Sequence, residues 1–208
     1  MLERAKHITR EGRYTHIEYA RFADDLVILI DGRRRWRWLE GAVYKRLLQE
    51  LAKLDVAINV DKTRRVNLAQ GERICFLGFD IRRHKTRRGK WGVRCVPRMK
   101  ARTKLLRRLK AVFGRYRSQP VQSVVNLINP ILRGWVIYFR VGNAGRCFRY
   151  VKNWVEKKIR RHLMRQRGRP GFGWTRWSRR WLYQRLGLFS DYRVVYYVPK
   201  ALPVQRAT

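Results

Sequence analysis

The apolar positions change their period once along the chain. Ile17 to Phe22 and Leu26 to Ile30 are short β-type runs on either side of Ala23-Asp24-Asp25, and they predict a tight hairpin with an acidic tip. Trp36, Leu39, Val43, Leu47, Leu51 and Leu54 then recur at helical spacing, enough for a helix of about five turns covering a sheet face. Weaker strand signals follow at 57–60 and 64–68. A stronger pair, 74–82 and 91–96, is joined by a basic turn from Lys85 to Lys90. After Pro97 the period is helical. Leu106, Leu109, Phe113 and Tyr116 form one stripe; Val121, Val124, Val125 and Ile128 form a second, with Ser118 as its expected cap. Asn129-Pro130 reads as a fresh helix start, Asn at the N-cap and Pro at the first helical position. Phe148, Val151, Val155, Ile159 and Leu163 make the next stripe. The Gly/Pro-rich break at 168–173 precedes an expected aromatic helix over 174–186, and 193–198 is a candidate last strand. The pattern predicts an α+β fold: an antiparallel sheet with one covering helix over residues 1–96, then an all-α domain over 97–208.

Charge sharpens this division. The 208 residues carry a formal +37, and such self-repulsion opposes compaction unless a polyanion neutralises it. Yet 45% hydrophobic content with 8 Trp, 10 Tyr and 8 Phe excludes a disordered basic tail. Residues 1–80 hold 16 Lys and Arg against 12 Asp and Glu, whereas residues 81–208 hold 35 against only Glu156 and Asp191. A mixed-charge region that can hold a site is followed by a region suited to gripping a phosphate backbone. No run approaches a membrane span and the first residues lack a signal peptide's apolar stretch, so the expectation is a cytoplasmic nucleic-acid binder with no membrane partner. Cys75, Cys95 and Cys147 match no zinc spacing and suit a reducing compartment.

Two adjacent carboxylates at a hairpin tip repel by roughly 3 kcal/mol at an effective dielectric near 20. A solvated Asp-Asp turn is the plain explanation, since Asp favours turns for local reasons. The chemical one is magnesium, which prefers hard oxygen ligands completed by water and substrate phosphates. Two such ions are the usual arrangement for nucleotidyl transfer, one activating the attacking hydroxyl and one stabilising the leaving oxygen.

The segment Tyr19–Ile30, YARFADDLVILI, resembles the palm motif of reverse transcriptases, here with the tetrapeptide Phe22-Ala23-Asp24-Asp25. Asn59 with Asp61-Lys62-Thr63 resembles the segment whose lysine lies near the incoming nucleotide phosphates. Phe76-Leu77-Gly78-Phe79 resembles the primer grip. Further on, NPILRGWVIYF at 129–139, continued by Phe148, Trp154 and the basic run 157–161, resembles the maturase-specific (X, or thumb) domain of group II intron proteins. The resemblance implies a partial reverse-transcriptase palm followed by a thumb/maturase domain. It implies Asp24 and Asp25 as catalytic, Mg2+-binding carboxylates, and Phe22, Ala23, Lys62, Phe76, Leu77 and Gly78 as nucleotide or primer contacts. It also implies group II intron RNA as partner, with a DNA target or primer for the intact family.

A polymerase centre needs a third carboxylate from an upstream palm strand. Glu3, Glu11 and Glu18 are the only acids before Asp24, and none has that setting. The fingers are absent too. The expectation is therefore a truncated protein, or one working with a missing N-terminal half or as a homodimer, with no polymerase activity of its own. What remains is an RNA grip: Arg102, Lys104, Arg107 and Arg108 on one helix, and Arg160, Arg161, Arg165, Arg167 and Arg169 further on. Arginine dominates the later group, which suits bidentate phosphate contacts and stacking on bases. Trp174, Trp177 and Trp181 with interleaved arginines read either as an amphipathic core helix or as a base-stacking surface. Two other readings compete with a splicing reverse transcriptase. One is a non-catalytic RNA-folding factor; the other is a general basic binder, which explains the charge but not the ordered motifs.

Overall fold

A computed structural model describes residues 1–12 and 14–195. The fold is α+β, with antiparallel hairpins and several helices, and it divides into two compact units. The first comprises 1–76 with 82–92; the second comprises 77–81 with the chain from 93 onward.

The first unit opens with helix α1 (Leu2–Ile8) and two short paired strands, β1 (Arg10–Glu11) and β2 (Tyr14–Thr15). The hairpin β3 (Ile17–Phe22) and β4 (Asp25–Ile30) follows, in register from Ile17 opposite Ile30 to Phe22 opposite Asp25. Pairs directly opposite share a face, so Ile17, Ile28 and Ile30 point one way. There they meet Leu39 and Val43 of helix α2 (Trp38–Ala52), with Leu2, Ala5 and Trp36 around them. The other face carries Ala20, Phe22, Val27 and Leu29; Phe22 is 62% and Leu29 45% exposed. His16, fully buried, ties this unit together. Its Nδ1 lies 2.8 Å from Asp31 Oδ2 and its Nε2 3.2 Å from Glu11 Oε2, while the ring stacks on Trp36 at 4.1 Å.

Two expectations fail here. The five-turn helix ends at Ala52, and Leu54, 71% exposed, lies beyond it. The strands expected at 57–60 and 64–68 are irregular backbone leading into a 3-10 turn at Leu68–Gln70. Their alternation is too short to bury a face, and Val56, Val60 and Val66 are exposed.

Strands β5 (Arg73–Phe76), β6 (Phe79–Lys85) and β7 (Trp91–Pro97) form a three-stranded sheet in sequence order. The β5–β6 turn is Leu77-Gly78, with φ of +46° and +77°, the two-residue turn whose twist matches a hairpin.

The second unit is built on α3 (Met99–Arg115), α4 (Val121–Phe139) and α5 (Gly145–Gln166). Its core takes Leu105, Leu109 and Phe113 from α3; Val124, Val125, Ile128 and Leu132 from α4; and Val151, Val155, Ile159 and Leu163 from α5. Leu105 rather than Leu106 carries the α3 stripe, because 105, 109 and 113 repeat at four residues and stay on one side. The α4 helix does not restart at Asn129-Pro130. It runs through Pro130, and Asn126, whose carbonyl Pro130 leaves without a helical donor, is exposed, as is Pro130 itself. Asn129 has a different task. Its Nδ2 donates to the Gly187 carbonyl (2.8 Å), and its Oδ1 accepts from Phe189 N (2.8 Å). Pro120, not Ser118, precedes the helix.

The expected aromatic helix over 174–186 is also corrected. Residues 174–176 form a turn, and regular winding is confined to a short stretch ending in a π-type turn, Trp181–Arg185. Gly173, at φ +58°, sits so close to the Trp177 ring that a Cβ would lie 2.6 Å from it, so the chain enters this turn at a position that only glycine fits. Of the candidate last strand, Arg193 and Val194 are irregular, Val195 pairs with Val141 in an isolated parallel bridge, and 196–198 lie outside the described residues.

Candidate nucleic-acid interface and the acidic hairpin

Helix α3 separates its charges from its core by rotation. At 100° per residue, Lys100, Lys104, Arg107, Arg108 and Arg115 fall on one side, roughly opposite Leu105, Leu109 and Phe113. All five cations are exposed, along a strip about 22 Å long. Arg102 is on the other side. Its guanidinium lies 4.2 Å over the Tyr150 ring and close enough to the Cys147 thiol to counter the upward push of burial on that group. It is half-buried and braces α3 against α5.

On α5 the same geometry splits neighbours in sequence. Lys157, Arg161 and Arg165 are exposed on one flank. Lys158 lies beside them, lowered from the usual lysine range by burial and then by Arg161, Lys110 and Arg165. Lys110 of α3, which lies off the strip of five, is near enough to Lys158 to contribute to that lowering. Arg167 and Arg169, also exposed, extend the cationic surface into the loop after α5.

Arg160 corrects the sequence-based grouping further. One residue before Arg161 means 100° around the helix, and Arg160 is only 1% exposed. Its Nε donates to the Trp177 carbonyl (2.9 Å), its Nη1 lies 3.4 Å from Glu156 Oε2, and its guanidinium stacks 4.3 Å from the Trp174 centroid. It supports the surface from beneath and does not face solvent.

Glu156 is the group that sequence reasoning missed. It is 1% exposed and accepts from Arg179 Nε (3.0 Å) and the Tyr183 hydroxyl (2.7 Å) in addition to Arg160. Burial pushes its carboxyl up, but the Tyr183 hydroxyl and the Arg179 and Arg160 charges outweigh this and hold it below the usual carboxylate range. The signal was present: one acid in a long cationic stretch, four residues before an arginine.

The primer-grip-like motif also has a support that the sequence did not show. The Tyr138 hydroxyl donates to the Leu77 carbonyl (2.9 Å), Phe79 packs on Tyr138 and Phe139, and a Cβ at Gly78 would lie 3.3 Å from Phe139. Two segments that carry separate resemblances, 77–79 and 129–139, are thus joined by their aromatic residues.

Asp24 and Asp25 lie together and exposed, Asp24 in the two-residue turn Ala23-Asp24 and Asp25 opening β4. Ala23 adopts φ +51°, unusual for a residue with a side chain, and its carbonyl accepts from Arg21 Nε (2.9 Å). Phe22 is exposed beside them, and Lys62 is exposed in the 56–67 segment of the same unit. Among the described residues, no group of three or more His, Cys, Asp or Glu side chains is arranged to hold a metal ion. The donor set at the tip is therefore two carboxylates, which does not fit a two-ion centre.

Residues 102–186 match the family model described as the group II intron, maturase-specific domain. That stretch is a group II intron maturase-specific domain. No curated protein matches the chain. The maturase-specific domain takes in the cores of α3, α4 and α5, the buried Glu156 and the exposed cations of α3 from Lys104 onward and of α5. It ends just before the Gly187–Phe189 segment that Asn129 holds. None of the helices among the described residues is long and apolar enough to cross a membrane.

Proposed function

We propose that this chain binds group II intron RNA through the exposed cationic strips of its maturase-specific domain and so assists the intron to fold and splice. One observation carries this reading: Lys104, Arg107 and Arg108, and Arg161, Arg165, Arg167 and Arg169, stay exposed on a domain of the maturase-specific family. Nothing acidic lies between Glu156 and Asp191 to neutralise the second group. The general basic binder loses ground because a nonspecific role needs charge alone. The test is in vitro splicing of a group II intron RNA at limiting magnesium, with and without the chain. Faster splicing that is lost in Arg107→Gln/Arg108→Gln and Arg161→Gln/Arg165→Gln supports the reading; no change in splicing rate contradicts it.

A second reading rests on the hairpin. The exposed Asp24-Asp25 pair and the strained Ala23 suit the hairpin of a reverse-transcriptase palm acting on a DNA primer. In that reading Asp24 and Asp25 supply two magnesium ligands and further carboxylates come from another polypeptide segment. Phe22, Ala23 and Lys62 would then lie toward the nucleotide, and Phe76, Leu77 and Gly78 toward the primer. Two carboxylates alone do not complete the centre, so polymerisation depends on that other segment. Asp24→Ala and Asp25→Ala are expected to abolish primer extension in any form that shows it, while intron RNA affinity stays within about twofold. Primer extension by both variants would remove Asp24 and Asp25 from the catalytic assignment.

A further inference from the structure

The loop after α5 builds a feature that phosphate binding does not use. Trp174 is 50% exposed, although its ring rests on the buried Arg160 guanidinium at 4.3 Å. Arg160 is itself fixed from below by the Trp177 carbonyl and Glu156. One side of the indole is thus occupied by a planar cation that cannot move away, while half of the residue's surface remains in water. Phe172 lies beside it, ring centroids 5.7 Å apart, and the exposed Arg161 guanidinium lies 5.0 Å over the Phe172 ring. Gly173 makes this possible. Its φ of +58° and its close approach to Trp177 and Met164 leave no room for a side chain between the half-buried Phe172 and the exposed Trp174.

We propose that Trp174, backed by Arg160 and flanked by Phe172 and Arg161, is a stacking platform for an unpaired nucleobase. The inference rests on the RNA-binding reading and deepens it by naming the part of the RNA that this loop takes. The chemistry selects the ligand. A flat π face suits any base, whereas the surrounding Arg161, Arg165, Arg167, Arg169 and Arg176, with no acid from 157 to 190, require the strand carrying that base to be anionic. A duplex cannot use the platform because its bases are stacked on one another; a single-stranded loop or bulge can. The rigidity of Arg160 matters because a platform already in place loses little freedom on binding.

The test compares binding of a short oligoadenylate with binding of an RNA duplex of the same length, using the full chain. Trp174→Ala is expected to weaken single-strand binding roughly five- to a hundredfold, with the slope of log K against log salt unchanged. Duplex binding should shift less than twofold. Trp174→Phe should recover most of the loss. Trp174→Leu keeps an apolar cover over Arg160 and should not recover it, which separates stacking from folding. Equal loss for strand and duplex, or recovery by Leu as good as by Phe, would overturn the platform, as would unchanged single-strand binding in Trp174→Ala. In all three cases RNA binding itself would stand. Failure of the unmodified chain to bind either RNA would instead remove the reading on which the platform rests.

Discussion

Glu156 concentrates the residue-scale consequences. It holds the buried Arg160, the half-buried Tyr183 and the exposed Arg179 around one carboxylate, and Tyr183 is in turn pushed far above the usual tyrosine range by burial and by the Glu156 carboxylate. Replacing it with Gln or Ala leaves the fully buried Arg160 without its countercharge, a loss of about 3 kcal/mol. The pH dependence has a definite sign. A carboxyl held below its unfolded value contributes stability above that value, near pH 4, and loses it as pH falls through the lower folded value. Urea titrations followed by tryptophan fluorescence should therefore show Glu156→Gln less stable than the unmodified chain at neutral pH. The gap should close on acidification below about pH 4. A gap independent of pH would mean that the carboxylate charge does not hold the hub. Such partners were only partly legible in sequence. The i, i+4 spacing of Glu156 and Arg160 was visible, but Arg179 and Tyr183 arrive from more than twenty residues away. By contrast, the hairpin and its acidic tip were legible, because a hairpin is a local structure; Asp25, expected in the turn, instead opens β4 opposite Phe22.

At the scale of the element, Asn129 shows how a helical residue can stand in for a neighbouring strand. Its amide presents a donor and an acceptor to Gly187 and Phe189, as an adjacent backbone would, and so seals the 187–189 segment against α4. Asn129→Ala is expected to cost about 2 kcal/mol, and Asn129→Asp, which keeps the acceptor for Phe189 N, about half of that. Differential hydrogen exchange should place the loosened amides at Leu188 and Phe189, and unchanged protection there would show that the segment is held by Leu188 packing alone. The sequence pattern assigns Asn129-Pro130 to a helix start because both residues favour one. Tertiary packing overrides the preference: Ile128 and Leu132 are both fully buried, and a break between them would pull one out of the core. The α5 stripe from Phe148 to Leu163 was legible for the opposite reason, since its period and its burial agree throughout. Arg160 was not, because adjacency in sequence hides a rotation of 100°.

For the whole molecule, charge and fold point to the same partner. The cations of the maturase-specific domain are displayed by helices that keep their apolar sides inward, and the acid of that stretch, Glu156, lies inside the fold rather than on its surface. In the proposed reading the grip is formed by the exposed cations Lys104, Arg107, Arg108, Arg161, Arg165, Arg167 and Arg169, Arg102 being half-buried and Arg160 fully buried. If each of these neutralises one phosphate, log K should fall with log salt at a slope of roughly −5 to −6. Charge sets that slope, but it does not by itself distinguish one folded RNA from another; shape and unpaired bases do. The most direct measurement is therefore the affinity of the chain for a folded group II intron RNA and for an unrelated structured RNA of equal length, across a salt series. The account predicts parallel salt slopes and tighter binding to the intron at physiological salt; equal affinities there would contradict it.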